Sequence, residues 1–242
     1  MTDDNSPLQG AKLAEVAVAA GEAAVRFTAA AQGAVLARVT VDGRLNTALL
    51  ERDQRIVHGF AWINTLSNCL TSTADWLSGL VEIGATRRID ELALIVGFNE
   101  YLSQLACGVP MAQNEIVRPG ELGLGSAAAA LTDDPAVQAF LALDAAPLRR
   151  ALVDELVAGH QITGALHDDL LDQFRTEMRR FADERIIPIA HGLHLADALV
   201  PDALLDEMAE LGIFGLCIDE AFGGMGQGKL AMCVVTEELS RA

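Results

Sequence analysis

The sequence predicts an all-α protein, a helical bundle followed by further helices, and three observations lead there. Alanine is abundant while aromatics are only 5% of the 242 residues, which suits closely packed helices better than a β-sandwich. Between residues 56 and 81, apolar side chains recur at alternating steps of four and three, the period of a buried helix face. Glycine and proline punctuate the apolar stretches where helices would end. Apolar residues make up 51% of the chain, and the mean hydropathy is +0.29, so a sizeable core can be buried.

The first helix is expected over residues 8–39, with Leu13, Val16, Ala20, Phe27 and Ala34 in register, and Val41-Asp42-Gly43 breaks it. The next carries the clearest period. Ile56, Phe60, Ile63, Ser67, Leu70, Ala74, Leu77 and Val81 form one stripe, and Trp62, Leu66, Cys69, Thr73, Trp76 and Leu80 form a second beside it. Such a helix packs against two neighbours at once, as in a bundle. Gly84 ends it. A third helix starts near Ile89, turns Leu92, Ile95, Phe98, Leu102 and Leu105 inward, and stops at Gly108-Val109-Pro110. Residues 111–130 hold Pro119-Gly120, Gly123 and Gly125 and read as a linker, with residues 115–118 able to dock on a neighbour. Short helices are expected over residues 135–143 and 147–158, followed by a break at residues 159–164.

From about His167 to Ile187 a helix is expected to bury Leu170, Phe174, Met178 and Phe181. Asp168, Asp169 and Asp172 come early and Arg179, Arg180 and Arg185 late, as the helix dipole favours. Pro188 is expected to end it. A further helix has Pro201 at its first position, with Leu204, Leu205, Met208 and Leu211 at helical spacing and Gly212 as a left-handed cap. A short apolar run, an acidic link and the turn Phe222-Gly223-Gly224-Met225-Gly226 lead to the last helix, over residues 229–241. That helix is apolar on nearly every face until Glu237-Glu238 and belongs inside a larger body.

Charge excludes several functions. Thirty-four acidic against 17 basic residues give a net charge of −17, which repels phosphate backbones and argues against nucleic-acid binding and attraction to anionic membranes. Met1-Thr2-Asp3-Asp4-Asn5 lacks a signal peptide's basic start, and no apolar run approaches a membrane span, so no membrane partner and a cytoplasmic location are expected. Cys69, Cys107, Cys217 and Cys233 form no CxxC pair and are expected to be buried, reduced thiols.

Three constellations were candidates for chemistry. Residues 223–229 satisfy GxxxxGK, with the apolar residues 213–218 as a conceivable preceding strand. Leu230, however, stands where a phosphate-binding loop needs Ser or Thr, and glycines at 224, 226 and 228 fail GxGxxG. A turn that lets two helices meet is the expectation. His191, His194 and Asp197 would share a face on a helix, but Pro188 and Gly192 argue for a solvated or substrate-facing loop, and no metal site is expected. Glu237 and Glu238, about 100° apart on a helix, cannot flank one bond as an acid/base pair, and a salt bridge from Glu237 to Arg241 is expected instead. His58, His160 and His167 have no sequence neighbours that raise them above ordinary polar positions.

Residues 201–242 resemble the start of the acyl-CoA dehydrogenase family. Members carry a helix ending in Leu-Gly, a Gly-Leu-x-Ile-acidic turn, an aromatic-Gly-Gly-x-Gly loop and a helix ending in Glu-Glu-Leu-x-Arg. The counterparts here are Leu211-Gly212, Gly215-Leu216-Cys217-Ile218-Asp219-Glu220, Phe222-Gly223-Gly224-Met225-Gly226 and Glu237-Glu238-Leu239-Ser240-Arg241, with Cys217 and Asp219 departing mildly from the commoner residues. Ile186-Ile187-Pro188-Ile189-Ala190 is similar to the string that closes the family's opening helix. The resemblance runs from near Asp172 to Ala242, under a third of the chain. His191-Gly192-Leu193-His194-Leu195-Ala196-Asp197, followed by Pro201, resembles one subgroup, the methylsuccinyl-CoA dehydrogenases, in which a long helical segment also precedes the dehydrogenase body.

That resemblance implies residues 1–117 as a helical extension, residues 118–164 as a linker with short helices, and residues 165–242 as a truncated N-terminal domain. It further implies an acyl-CoA substrate, FAD, α-proton abstraction by a glutamate with β-hydride transfer to the flavin, reoxidation by electron-transfer flavoprotein, and a homo-oligomer. The family's flavin-contacting strands and catalytic glutamate follow the Glu-Glu-Leu-x-Arg helix. No catalytic, cofactor-binding or metal residue is therefore assigned here, the substrate-binding residues are left open, and the chain alone is expected to be colourless and inactive. A helical interaction or dimerisation module without chemistry of its own is the competing expectation.

Overall fold

The structure is a computed structural model that describes residues 8–164, 166 and 168–242; the acidic start at residues 1–5 and His167 lie outside the described residues. The chain is all-α apart from two small hairpins, and it divides into two compact units, Met1–Gly164 and Ala165–Ala242.

In the first unit α1, Gly10–Val39, buries Leu13, Ala17, Ala20, Ala24, Phe27, Ala31 and Val35, a stripe at steps of three and four. Its small residues let the next long helix come close: a Cβ on Gly21 would sit 3.4 Å from Thr71 Cγ2. The chain reverses through a hairpin of β1, Thr40–Val41, and β2, Arg44–Leu45. Asp42 and Gly43 both have positive φ, 50° and 73°, as a two-residue hairpin turn of type I′ demands. After the short helix α2, Thr47–Arg52, capped by Asn46, comes α3, Gln54–Glu82. It packs against α1 and against α4, Arg88–Cys107. The first expected stripe of α3 is buried or half-buried along its length, whereas the second is broken, with Leu66 and Leu80 buried but Trp62 and Cys69 exposed.

Residues 118–164 contribute to the same core as residues 1–117. Strand β3, Val109–Ala112, pairs antiparallel with β4, Glu115–Val117, and a 3₁₀ turn, Pro119–Leu122, leads to α5, Gly125–Asp133, α6, Pro135–Leu141, and α7, Ala145–Val157. Val117, Leu122, Leu124, Leu131, Val137 and Phe140 are buried with α1, α3 and α4. The close approach is made at Gly59 of α3, where a Cβ would lie 2.6 Å from Val117 Cγ2. Turn-forming glycines and Pro119 give this stretch a linker's composition while its apolar residues seal the bundle.

The second unit opens with α8, Asp169–Phe181, capped by Asp168, whose Oδ1 accepts hydrogen bonds from the amides of Leu170 and Leu171. Leu171 and Met178 are buried, and Leu170, expected inside, is exposed, because the core lies on the 171/178/182 side of the helix. Pro188 does not end the helical path. A π turn, Ala182–Ile186, precedes α9, Ile187–Leu195, and Pro188 stands in the first turn of α9, where its missing N–H leaves no bond unmade. The expected loop around His191 and His194 is therefore helix. Pro201 is the cap residue of α10, Asp202–Glu210, rather than its first helical residue, and Gly212 ends that helix at φ 74° as expected. Helix α11, Gly228–Arg241, lies along α8, and Met178, Leu216 and Val235 form the unit's small core.

All four cysteines are free and exposed, not buried. Cys69 and Cys233 point outward from helices whose other faces are buried, and Cys107 is the last residue of α4. Apolar neighbours in sequence did not translate into burial because a helix turns successive residues to different sides.

Candidate functional site

The best-defined constellation is the loop joining α10 to α11 together with the ion-pair network beneath it. No strand precedes the glycines; residues 213–218 form a 3₁₀ turn, Ile213–Gly215, and further turns. Asp219 Oδ1 accepts from Ala221 N at 2.8 Å and shapes a second 3₁₀ turn, Glu220–Phe222, which Gly223 closes at φ 82°. The chain then comes back alongside its own start. Met225 N donates to Gly215 O at 3.0 Å, Gly226 N to Ile218 O at 2.9 Å and Gln227 N to Leu216 O at 2.8 Å. Gly223 N and Gly224 N donate to Glu220 O and Asp219 O. Five consecutive amides, 223–227, thus have internal acceptors, so none is left to cradle a phosphate. Gly224 is present for space: a Cβ there would lie 2.1 Å from Ile218 O. Gly212 combines φ 74° with Met225 Sδ only 2.6 Å from a built Cβ.

Below this clasp α11 is bound to α8 through Glu238, which is 1% exposed. Its Oε1 accepts from Arg179 Nη2 at 2.7 Å, and its Oε2 accepts from Arg179 Nε at 3.0 Å and Arg241 Nε at 2.9 Å. Arg241 Nη2 donates on to Asp183 Oδ1 at 2.6 Å. The Arg179 guanidinium holds the Glu238 carboxyl below the usual carboxylate range; burial opposes this, and Arg241 reinforces it. The expected pair from Glu237 to Arg241 is replaced by Glu238 to Arg241, because Glu238 faces α8 while Glu237 is exposed and lies near Arg175 at 3.9 Å. A bidentate carboxylate locked between two arginines is a structural clamp; it is not free to take a proton at neutral pH.

The other candidates are not assembled into sites. His191 and His194 are exposed on α9, Asp197 lies beyond its end at φ 49°, and among the described residues no group of three His, Cys, Asp or Glu is placed to hold a metal ion. His160 Nδ1 lies 2.5 Å from Glu155 Oε2, and His58 Nε2 accepts from Trp62 Nε1 at 3.0 Å. His58 also lines an open groove of about 670 Å³ with Leu50, Gln54, Arg55 and Glu115. Arg55 there is committed to Glu121 Oε1 at 3.0 Å and Ile116 O at 3.3 Å. Sequence reasoning missed one cluster, Asp90 with Arg87 and Thr163. Asp90 is fully buried and accepts from Thr163 N and Oγ1 and from Arg87 N. The Arg87-x-x-Asp90 spacing at a helix start was readable as a cap, but Thr163 lies 73 residues away.

Among the described residues no helix is long and apolar enough to cross a membrane. Residues 168–242 match the family described as acyl-CoA dehydrogenase, N-terminal domain. The chain is 37% identical over 215 residues to (2S)-methylsuccinyl-CoA dehydrogenase of Cereibacter sphaeroides, covering 87% of this chain and 38% of that protein. It is 42% identical over 76 residues to benzylmalonyl-CoA dehydrogenase of Aromatoleum aromaticum, covering 30% of this chain and 20% of the relative. Similarity to the mitochondrial isovaleryl-CoA dehydrogenase of Oryza sativa subsp. japonica is 36% over 78 residues, 32% of this chain and 19% of the relative. The chain thus spans well under half the length of these relatives. A match covering 87% of the chain cannot fit in the second unit and runs into the N-terminal one. A clasp and a clamp at the positions of the resemblance agree with these matches: residues 168–242 are an acyl-CoA dehydrogenase N-terminal domain, in a chain similar along most of its length to (2S)-methylsuccinyl-CoA dehydrogenase.

Proposed function

We propose that this chain is the N-terminal portion of an FAD-dependent acyl-CoA dehydrogenase that oxidises a short branched acyl-CoA, with (2S)-methylsuccinyl-CoA to mesaconyl-CoA as the first choice. The observation that carries this reading is the 215-residue similarity to (2S)-methylsuccinyl-CoA dehydrogenase, which includes the N-terminal unit that the shorter matches to other dehydrogenases are not long enough to cover. The reaction would remove the α-proton and pass the β-hydride to the flavin, with electrons leaving to electron-transfer flavoprotein. A homo-oligomer in the cytoplasm is part of the same proposal.

The amides of residues 223–227 are bonded internally, and Arg179, Arg185 and Arg55 are engaged by Glu238, Glu207 and Glu121, so these groups offer no cradle for the flavin's pyrophosphate. No residue here is assigned to hold FAD, and no chemical step is derived through it. Arg179 and Glu238 seat α11 on α8, Arg185 and Glu207 join the π turn to α10, and Arg55 and Glu121 close the N-terminal unit.

The test is a competition assay on the natural protein that carries this chain. (2S)-Methylsuccinyl-CoA should be oxidised in preference to straight-chain acyl-CoAs. A straight-chain substrate favoured by about tenfold in kcat/KM, some 1.4 kcal/mol, overturns the assignment. A second reading, a helical interaction or dimerisation module, draws on the N-terminal unit's self-contained core and on the exposed Trp62 of α3. Deleting residues 1–160 from the same protein separates the two: lost assembly with unchanged specificity favours the module.

A further inference from the structure

All three polar groups of Thr163 are bonded to partners far back in the chain. Its N–H donates to Asp90 Oδ1 at 2.7 Å, its hydroxyl donates to Asp90 Oδ2 at 2.8 Å, and its carbonyl accepts from Trp76 Nε1 at 3.1 Å. Arg87 adds to the set: Nε and Nη2 lie 3.0 and 2.6 Å from Thr163 Oγ1, and Nη2 also donates to Gln161 O. Asp90 has no solvent exposure, and its carboxylate takes the amide and hydroxyl of Thr163 together with the amide of Arg87. A buried carboxylate left without these donors would be costly, so the strap of residues 161–163 and the start of α4 each need the other. Residues 158–164 have no helix or strand of their own. Nothing in their composition requires them to be held this firmly.

We infer that Asp90, Arg87 and Trp76 form a built-in anchor for residues 161–163, and that this anchor fixes the point at which the chain leaves the N-terminal unit. The consequence is one of reach. From Thr163 to Asp168, the cap of α8, the chain has five peptide units and can span at most ~18 Å. With the anchor released, the path would run from Val157, the end of α7, over eleven units and at most ~40 Å. The anchor therefore shortens the free stretch of chain that leads from the N-terminal unit to α8. This inference does not depend on the proposed substrate.

The test uses the full chain and three variants, read by amide hydrogen exchange and by limited proteolysis across residues 158–164. Thr163→Val removes the hydroxyl, Trp76→Phe removes the indole N–H along with part of the ring's packing, and Thr163→Ser keeps every donor and acceptor. Exchange at the Thr163 amide should rise about tenfold or more in Thr163→Val, rise less in Trp76→Phe, and stay near the parent rate in Thr163→Ser, with cleavage following the same order. The amides of Leu94 and Ile95, deep in α4, report on global unfolding; where Thr163→Val loosens them too, Trp76→Phe decides. Parent-like exchange and cleavage at 158–164 in both Thr163→Val and Trp76→Phe overturn the inference.

Discussion

Two adjacent glycines in the α10–α11 loop should respond very differently to the same substitution. Gly223 has φ 82° and open space around a built Cβ, so Gly223→Ala meets only the left-handed backbone penalty of about 1 kcal/mol. Gly224 lacks that strain, but a Cβ there would lie 2.1 Å from Ile218 O and 2.5 Å from its carbonyl carbon. Both neighbours are backbone, so the returning chain must move away from residues 215–218. Three bonds are then at risk, from Met225, Gly226 and Gln227 to Gly215, Ile218 and Leu216. At about 1 kcal/mol net for each, Gly224→Ala should destabilise the second unit by about 3 kcal/mol. The difference of about 2 kcal/mol is roughly a thirtyfold change in the folded-to-unfolded ratio. Urea unfolding with amide exchange at residues 225–227 measures it. Equal effects, or a milder Gly224→Ala, would show that the clasp does not depend on that close approach. Inorganic phosphate supplies an independent arm, since a phosphate-dependent shift of the 223–227 amides would mean that their donors are free.

Two further predictions concern packing and charge. Gly59→Ala places a Cβ against Val117 Cγ2, Cβ and Cγ1 at 2.6, 2.7 and 2.9 Å, and should destabilise the N-terminal unit by about 1–3 kcal/mol in denaturant unfolding. Val117→Ala in the same chain should recover part of the loss; strictly additive effects would place the clash elsewhere. Glu238 has a folded pKa lowered chiefly by Arg179, so its stabilisation is complete above the ordinary carboxyl value of 4.5 and is lost as pH falls through the depressed folded value. Glu238→Gln should weaken the second unit at neutral pH and flatten its acid limb. An acid transition of unchanged shape, followed by amide exchange in α11, would refute the clamp.

The sequence made the long helices legible because burial writes a period into them. Ile63, Leu70, Ala74 and Leu77 face the core, and Gly84, Gly108 and Gly212 end helices with φ of 65°, 147° and 74°. Local rules misled where two of them competed. Pro188 and Gly192 read as breakers, yet the π turn before Pro188 and the tolerance of proline in a first turn let α9 form. The Glu238 clamp was half visible: the Glu and Arg at the end of α11 suggested an ion pair, but which carboxylate faces α8 is a matter of rotation about the helix axis. Asp90 and Thr163 were out of reach for a different reason, since nothing local marks a bond between residues so far apart. The first hairpin, by contrast, carried a readable signal in Asp42-Gly43, and its two-residue strands were too short to register as a periodic pattern.

The residues that identify the family in this chain share a physical character. Gly212 and Gly224 are required by sterics, and Glu238 and Arg241 join α11 to α8 and the π turn. A motif can therefore be specific without being chemical. A close backbone crossing tolerates only glycine, and a buried carboxylate needs its guanidinium, so such positions constrain a sequence as tightly as a reaction would. Phe222 and Leu230 sharpen the point, being 85% and 56% exposed beside this clasp. The clasp is closed by backbone hydrogen bonds where the chain folds on itself, and it presents apolar side chains outward.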